Sequence, residues 1–418
     1  LPRTLHGGGD TDQALAETAM QVFIFDWTAY AANVDKFRED GEMPRLVKRH
    51  FEPEAAIATY RNHIAAWQEM ERQGFDGIAI NEHHCTPFGL GNSPNLMAAA
   101  LSQLTEKIKI LIYGNLLPIH EPLRLAEEIA MLDCMTGGRL ICGVGRGAPR
   151  EYKIFNVPMS ESRGRFEEAF EVMRRAWTDD SMSFAGEFYQ YDDVSIWPRP
   201  VQQPHPPVWI PLTGSKESIE WAAAHDATIT PGVFAGSMRE DTLRYFAKCQ
   251  AQHGRKVSAD KISIMVDCYV ADSKEQAIAE YGEHLMYLFN TLLRYGQVWQ
   301  KDVDKTKYYS STAFEHLREG RKGTLAEDDT VFNEWTMETV AGAALHMPLG
   351  TADEVVERII AECSDAGANN VLLVCNRGHM PQEMFLNQIR RIGSEVLPRL
   401  QAHNVTFVQH AQLPEATE

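Results

Sequence analysis

Short apolar, β-prone runs alternate along the whole chain with segments whose apolar residues recur at helical spacing, and this alternation limits the fold more than any other feature. Gln21-Val22-Phe23-Ile24-Phe25 is the first run. After a polar loop, Pro53 to Gly74 carries Ile57, Ile64 and Trp67 at helical spacing and stops at a glycine. The unit recurs as Gly77 to Asn81 with Pro94 to Thr105, Ile108 to Gly114 with Glu121 to Met135, and Arg139 to Gly145 with Ser162 to Trp177. It continues as Val208 to Leu212 with Ser215 to His225, Ala227 to Thr230 with Ser237 to His253, Ile262 to Val270 with Lys274 to Tyr295, and Asn370 to Cys375 with Pro381 to Leu397. Strands separated by helices predict a parallel sheet covered by helices, because a parallel pair needs a long crossover. Eight such units predict an α/β fold closed as a (β/α)8 TIM barrel. An open doubly wound sheet would carry GxGxxG at its first turn, and this first turn has none.

Two stretches exceed ordinary loops and read as insertions. Residues 179 to 207 hold FAGEFYQYDD and WPRPVQQPHPP, which predict a small hairpin and a proline-stiffened approach to the fifth strand. Residues 296 to 350 precede a helix at Ala352 to Ala366 and the last strand; long excursions of this kind are expected over a barrel mouth. Residues 1–19 read as a flexible leader, 20–400 as one barrel domain and 401–418 as a C-terminal tail.

The 58 acidic and 40 basic side chains give a net charge of −18, which repels phosphate polymers and anionic bilayers. Seven cysteines without a CxxC pair fit a reducing cytoplasm and no disulfide framework. No stretch approaches the roughly 18 uncharged apolar residues of a membrane span.

In a parallel barrel the chemistry gathers where strands end, so the residues just after each apolar run are the candidates. They are Asp26, Glu82-His83-His84-Cys85, Asn115, Arg146, Thr213-Gly214-Ser215 and Asn376-Arg377-His379. A metal is not expected at Glu82-His83-His84: alternate side chains point to opposite faces of an extended segment, and the helical HExxH spacing is missing. Cys85 next to His84 lacks the spatial pairing that a thiol nucleophile needs, so it reads as a packed side chain. In RLICGVGRG, glycines 143, 145 and 147 are expected to let backbone approach a flat ligand. LTGSKES runs from a strand into a helix start, where free N–H groups and the hydroxyls of Ser215 and Ser218 can hold a phosphate or cap the helix. Arg163 could add a positive partner. A phosphate at one end and a planar ring at the other outline flavin mononucleotide. Phe25, Trp27, Phe88, Trp197 and Phe234 are the apolar candidates for a substrate pocket.

FDGIAINEHHC, YGNLLPIHEPLRLAEEIAMLDCMTGGRLICGVGRG, EYKIFNVPMSESRGRFEEAFEVMRRAW, PHPPVWIPLTGSKESIEWAAAHDA and NNVLLVCNRGHMPQEMFLNQIRRIGSEVLPRL together resemble the bacterial luciferase-like flavin-dependent monooxygenases. The resemblance runs from about residue 70 to 400 and is interrupted at 296 to 350. It implies a (β/α)8 barrel that takes reduced FMN from a separate NAD(P)H:flavin reductase and activates O2 as a C4a-(hydro)peroxyflavin to oxidise a small organic substrate. It implies further that His83 is the catalytic histidine, that Arg146 lies near the flavin, and that Arg163, Gly214, Ser215 and Ser218 meet its phosphate. A non-proline cis peptide is implied at Gly114–Asn115, beside the ring, and the family favours a homodimer. Gly145 stands where luciferase has a reactive cysteine, so light emission is not implied. An F420-dependent oxidoreductase on the same barrel and a non-catalytic flavin-binding partner subunit are the alternatives.

Overall fold

The computed structural model describes residues 19–30, 32, 48, 51–87, 89–212, 215–231, 239–292 and 335–407. Eight parallel strands form one sheet: β1 (Gln21–Asp26), β2 (Gly77–Ile80), β3 (Lys109–Leu116), β4 (Leu140–Gly145), β5 (Val208–Leu212), β6 (Thr228–Pro231), β7 (Ser263–Asp267) and β8 (Asn370–Val374). Consecutive strands pair from β1 to β6, and β8 lies between β7 and β1. A single parallel bridge, Ile229 to Ile262, joins β6 to β7 and closes the ring. The chain forms the expected (β/α)8 barrel.

Side chains alternate along each strand, which divides the apolar residues into two sets. Phe23, Phe25, Ala79, Leu111, Tyr113, Ile141, Trp209, Leu372 and Val374 fill the barrel interior. Val22, Ile24, Ile78, Ile80, Ile110, Ile112, Leu140 and Cys142 face the helices and merge with Trp67, Phe166, Phe170 and Trp177 in the main core. Strands apolar on both faces are what a helix-covered parallel sheet requires. The interior is filled to the point that a Cβ on Gly77 would sit 2.1 Å from the Phe23 ring, while that ring packs 5.3 Å from Trp209. Each large side chain buried in this way stabilises the fold by roughly 1.5–3 kcal/mol.

Helix signals in the sequence hold locally. Pro53, Pro94 and Pro122 open the helices Pro53–Gln73, Pro94–Ser102 and Pro122–Thr136, where the missing N–H costs nothing. Gly74 caps the first of these at φ 87°, in the left-handed region. The expected hairpin pairs Met182–Ala185 with Gln190–Val194, and the Glu168 carboxylate anchors it by accepting from the Glu187 and Phe188 amides. The proline-rich approach to β5 contains cis bonds at Trp197–Pro198 and Gln203–Pro204.

The run read as one strand, Ile262 to Val270, is broken. Its barrel strand ends at Asp267, and Tyr269–Val270 turns away to pair with Leu349–Gly350, an edge supplied from within the second insertion. Of that insertion, residues 296–334 lie outside the described residues, and the rest includes the helix Met337–Ala344. At the N-terminal end of the barrel, His403 accepts from the Met20 amide and Val405 donates to Asn369. Among the described residues no helix is long and apolar enough to cross a membrane, no cysteines are paired, and no group of three potential ligands could hold a metal ion.

Candidate active site

NEHHC follows directly from β2, so its side chains stand where the barrel strands end. They divide by role. Glu82 is buried and accepts from His84 Nε2 at 2.7 Å, from His120 Nε2 at 2.8 Å and from the Leu116 amide at 3.0 Å. Burial opposes its ionisation, yet these donors, His120 first, hold it below the usual carboxylate range. Burial lowers the His120 pKa and Glu82 raises it, and the net direction is upward. Glu82 therefore ties the ends of β2 and β3 together through a charge-assisted knot. Cys85 is exposed and adopts φ 50°, a turn position.

His83 points elsewhere. Its ring lies parallel to Trp27 with centroids 5.9 Å apart, and its Nδ1 is 3.1 Å from Arg150 Nη2 and 3.5 Å from Glu151 Oε1. Arg150 and Glu151 come from the short helix Pro149–Ile154, immediately after β4. Glu151 is fully buried; burial raises its pKa, but the Arg150 guanidinium beside it outweighs that and holds the pKa down at about 2. Burial and the Arg150 charge push the His83 pKa down, against the pull of Glu151 and Glu82. His83 is thus neutral at pH 7. The Arg377 guanidinium also lies over Trp27, 5.5 Å from the ring centroid, and forms a two-pronged pair with Asp267 at 2.7 and 2.8 Å. Residues from β1, β2, β4, β7 and β8 meet in this way at one end of the barrel.

The sequence places Arg163, Ser215 and Ser218 far apart, and the fold brings them together. Arg163 Nη2 donates to Ser215 Oγ at 2.9 Å and to Ser218 Oγ at 3.1 Å, at the start of the helix Lys216–Ala224. Ser215 occupies the N-cap position yet makes no capping bond; its hydroxyl donates to Glu217 instead. Arg163 Nη1 is buried without a hydrogen-bond partner and lies 3.6 Å from Glu167. Burial and the nearby Arg146 charge lower the Arg163 pKa, while Glu167 and Glu217 oppose them. Arg146 is therefore within electrostatic reach of this cradle. Gly214 lies outside the described residues.

Between these two clusters runs the junction of β3 and β4. Its non-proline cis bond is Tyr113–Gly114, one residue before the expected Gly114–Asn115. The β3–β4 register shifts between Ile112 and Asn115. A Cβ on Gly143 would lie 1.9 Å from the Ile112 carbonyl oxygen, and one on Gly114 would lie 2.6 Å from the Gly143 carbonyl carbon. Gly143 is thus required by its neighbouring strand, whatever ligand its backbone meets. Asn115 is fully buried with both amide atoms unpaired, and Asn81 shares that condition. Asp26, another candidate at a strand end, turns to the helix layer and accepts from Trp67 Nε1 at 2.7 Å and from His63.

The sequence model of the luciferase-like monooxygenases matches residues 45–370. The chain belongs to this family. It is 26% identical over 308 residues to the oxygenase component of the flavin-dependent trigonelline monooxygenase of Acinetobacter baylyi, covering 72% of this chain and 79% of that one. The fold is shared with the FMN-bound oxygenating constituent of 3,6-diketocamphane monooxygenase from Pseudomonas putida, at TM-score 0.67, 18% identity, and 91% and 99% coverage. It is also shared with the F420-dependent tetrahydromethanopterin reductase of Methanopyrus kandleri, at TM-score 0.58, 17% identity, and 92% and 100% coverage.

In this luciferase-like monooxygenase the fold gathers Arg163, Ser215 and Ser218 into one cluster and sets His83 in another beside Arg150 and Glu151, which the sequence does not single out. A signal existed: PREY follows GRG after a single alanine, at the end of a barrel strand where chemistry gathers in this fold. Of the apolar pocket candidates, Phe25 and Trp27 pack edge to face at the mouth, Trp197 is exposed, and Phe88 and Phe234 lie outside the described residues.

Proposed function

We propose that this chain is the oxygenase component of a two-component system: it binds reduced FMN supplied by a separate NAD(P)H:flavin reductase and uses O2 to oxidise a small organic substrate. The observation that carries this reading is the cradle at Arg163, Ser215 and Ser218. There a guanidinium with one unbonded nitrogen and two hydroxyls converge on a helix N-terminus, a combination suited to a phosphate monoester. The trigonelline and diketocamphane proteins, flavin-dependent and FMN-bound by name, support it.

The remaining residues fit a flavin. Asn115 and Asn81 each hold an unpaired buried amide, a condition that costs about 1–3 kcal/mol and that the polar edge of a bound heterocycle would relieve. Arg146 adds positive charge toward the cradle, and Gly114 keeps β3 pressed against β4 beside Asn115. Gly214, which precedes Ser215 in the sequence, belongs to the same cofactor-binding proposal. When bound, reduced FMN supplies the electrons that activate O2. The protein's part is to hold it, exclude water and place His83, whose neutral ring is set against Trp27. His83→Ala should keep FMN binding and lose about 10²–10⁴ in productive coupling. Retention of His83, Arg146 and Arg163 argues against a non-catalytic partner subunit.

Exposed Leu96, Leu104, Met131 and Met135 in and beside the adjacent helices Pro94–Ser102 and Pro122–Thr136 support a homodimer that covers this face. A cytoplasmic location accords with cysteines that are all free. Anaerobic fluorescence titration tests the cofactor: reduced FMN should quench tryptophan emission and reduced F420 should not. Tight F420 binding without FMN binding would replace this reading with the deazaflavin one.

A further inference from the structure

We propose that Arg150 is a positioning residue that fixes His83 as the tautomer protonated on Nε2, so that the ring serves the site as a neutral hydrogen-bond donor. The inference rests on the reading of His83 as the working histidine and adds which nitrogen works and what holds it so. Two neighbours make opposite demands on Nδ1. A guanidinium has five donors and no acceptor, so Arg150 Nη2 at 3.1 Å requires Nδ1 to accept. A carboxylate requires Nδ1 to donate, and Glu151 Oε1 lies at 3.5 Å. One neutral imidazole cannot satisfy both.

Geometry decides for Arg150. The Glu151 contact is at the outer limit of hydrogen bonding, and the carboxylate has better partners: Oε1 accepts from Arg150 Nε at 2.9 Å and Oε2 from the Ala148 amide at 2.9 Å. Arg150 and Glu151 are both buried, so neither is free to turn to solvent. Trp27 lies along one face of the ring, and the backbone is pinned by Asn92, which donates to the His83 carbonyl at 2.7 Å. Among the described residues, the charges that act on His83 include Arg150 and Glu151 from the helix after β4 and Glu82 from its own segment. Of these Arg150 alone disfavours the imidazolium. Its loss should therefore change both the tautomer and the titration.

The test is ¹⁵N NMR of the full chain, free of flavin, with labelled histidine and with the His83 signals assigned by their disappearance in His83→Asn. At neutral pH, His83 should show a protonated Nε2 and an unprotonated Nδ1. In Arg150→Met, the Glu151 carboxylate no longer competes with a donor for Nδ1, so the proton should move to Nδ1 and the titration midpoint should rise. Arg150→Lys, which keeps a charged donor, should retain the parental tautomer. A parental protein protonated on Nδ1 overturns the proposal without any variant, and so does an Arg150→Met protein with an unchanged tautomer. Because no flavin is present, failure here leaves the cofactor reading intact, and failure of FMN to bind leaves the tautomer result standing.

Discussion

Replacing Arg163 with alanine separates a phosphate cradle from a structural arginine. Two guanidinium nitrogens are at stake: Nη2, which now donates to Ser215 and Ser218, and Nη1, which has no hydrogen-bond partner. Charge-assisted bonds to a phosphate are worth about 1.5–3 kcal/mol each, or about 3–6 for the pair. Against this stand the two serine contacts that binding would disturb, each about 0.5–1.5 kcal/mol. The midpoints, about 4.5 against about 2 kcal/mol, leave about 2.5 kcal/mol, which is on the order of 70-fold in Kd. Glu167 and Glu217, left without their counter-charge, add to the loss rather than reduce it. The assay is calorimetric titration of parent and variant with FMN and with riboflavin, which lacks the phosphate. FMN affinity should fall by that factor while riboflavin affinity stays within about threefold. Equal losses for both ligands would show that Arg163 supports the fold and not the phosphate; no loss for FMN would remove it from the site.

Other outcomes follow from the same geometry. Glu217→Gln removes a carboxylate that takes the Ser215 hydroxyl, so FMN should bind about tenfold tighter in the same titration, with riboflavin unaffected. Gly143→Ala forces a Cβ to 1.9 Å from the Ile112 carbonyl and should destabilise by about 1–3 kcal/mol or more, whereas Gly145→Ala, with its nearest atom at 3.5 Å, should leave the urea midpoint almost unchanged. The pKa of Glu151 is depressed from 4.5 to about 2, so its contribution is complete above pH 4.5 and is lost as pH falls toward 2. Glu151→Gln strands the buried Arg150 charge and should cost about 3–5 kcal/mol at pH 7 by urea unfolding, with a flatter stability profile below pH 4.5.

The barrel was legible because its determinants are local: apolar runs of strand length, helical spacing and punctuation by Pro and Gly recur within windows of a few residues. Ser215 and Ser218 were legible for the same reason, since a spacing of three at a helix start places both on one face. Legibility failed where a residue answers to a distant partner. The need for glycine at 143 is set by the Ile112 carbonyl of the neighbouring strand, which no local window shows. Val270 continued an apolar run, but an edge 80 residues later in the chain, at Leu349–Gly350, draws it out of the barrel. The tautomer of His83 depends on Arg150, and only the closure of β2 against the segment after β4 brings the two within 3.1 Å.

Whether this barrel holds reduced FMN and controls its encounter with O2 is read by rapid mixing. Anaerobic protein with stoichiometric reduced FMN is mixed with oxygenated buffer while flavin absorbance and hydrogen peroxide release are followed together. Oxidised flavin and peroxide should appear much more slowly than with free reduced FMN, and His83→Ala should shorten the delay while FMN still binds. Oxidation and peroxide release at the free-solution rate, with reduced FMN shown to be bound, would contradict such control.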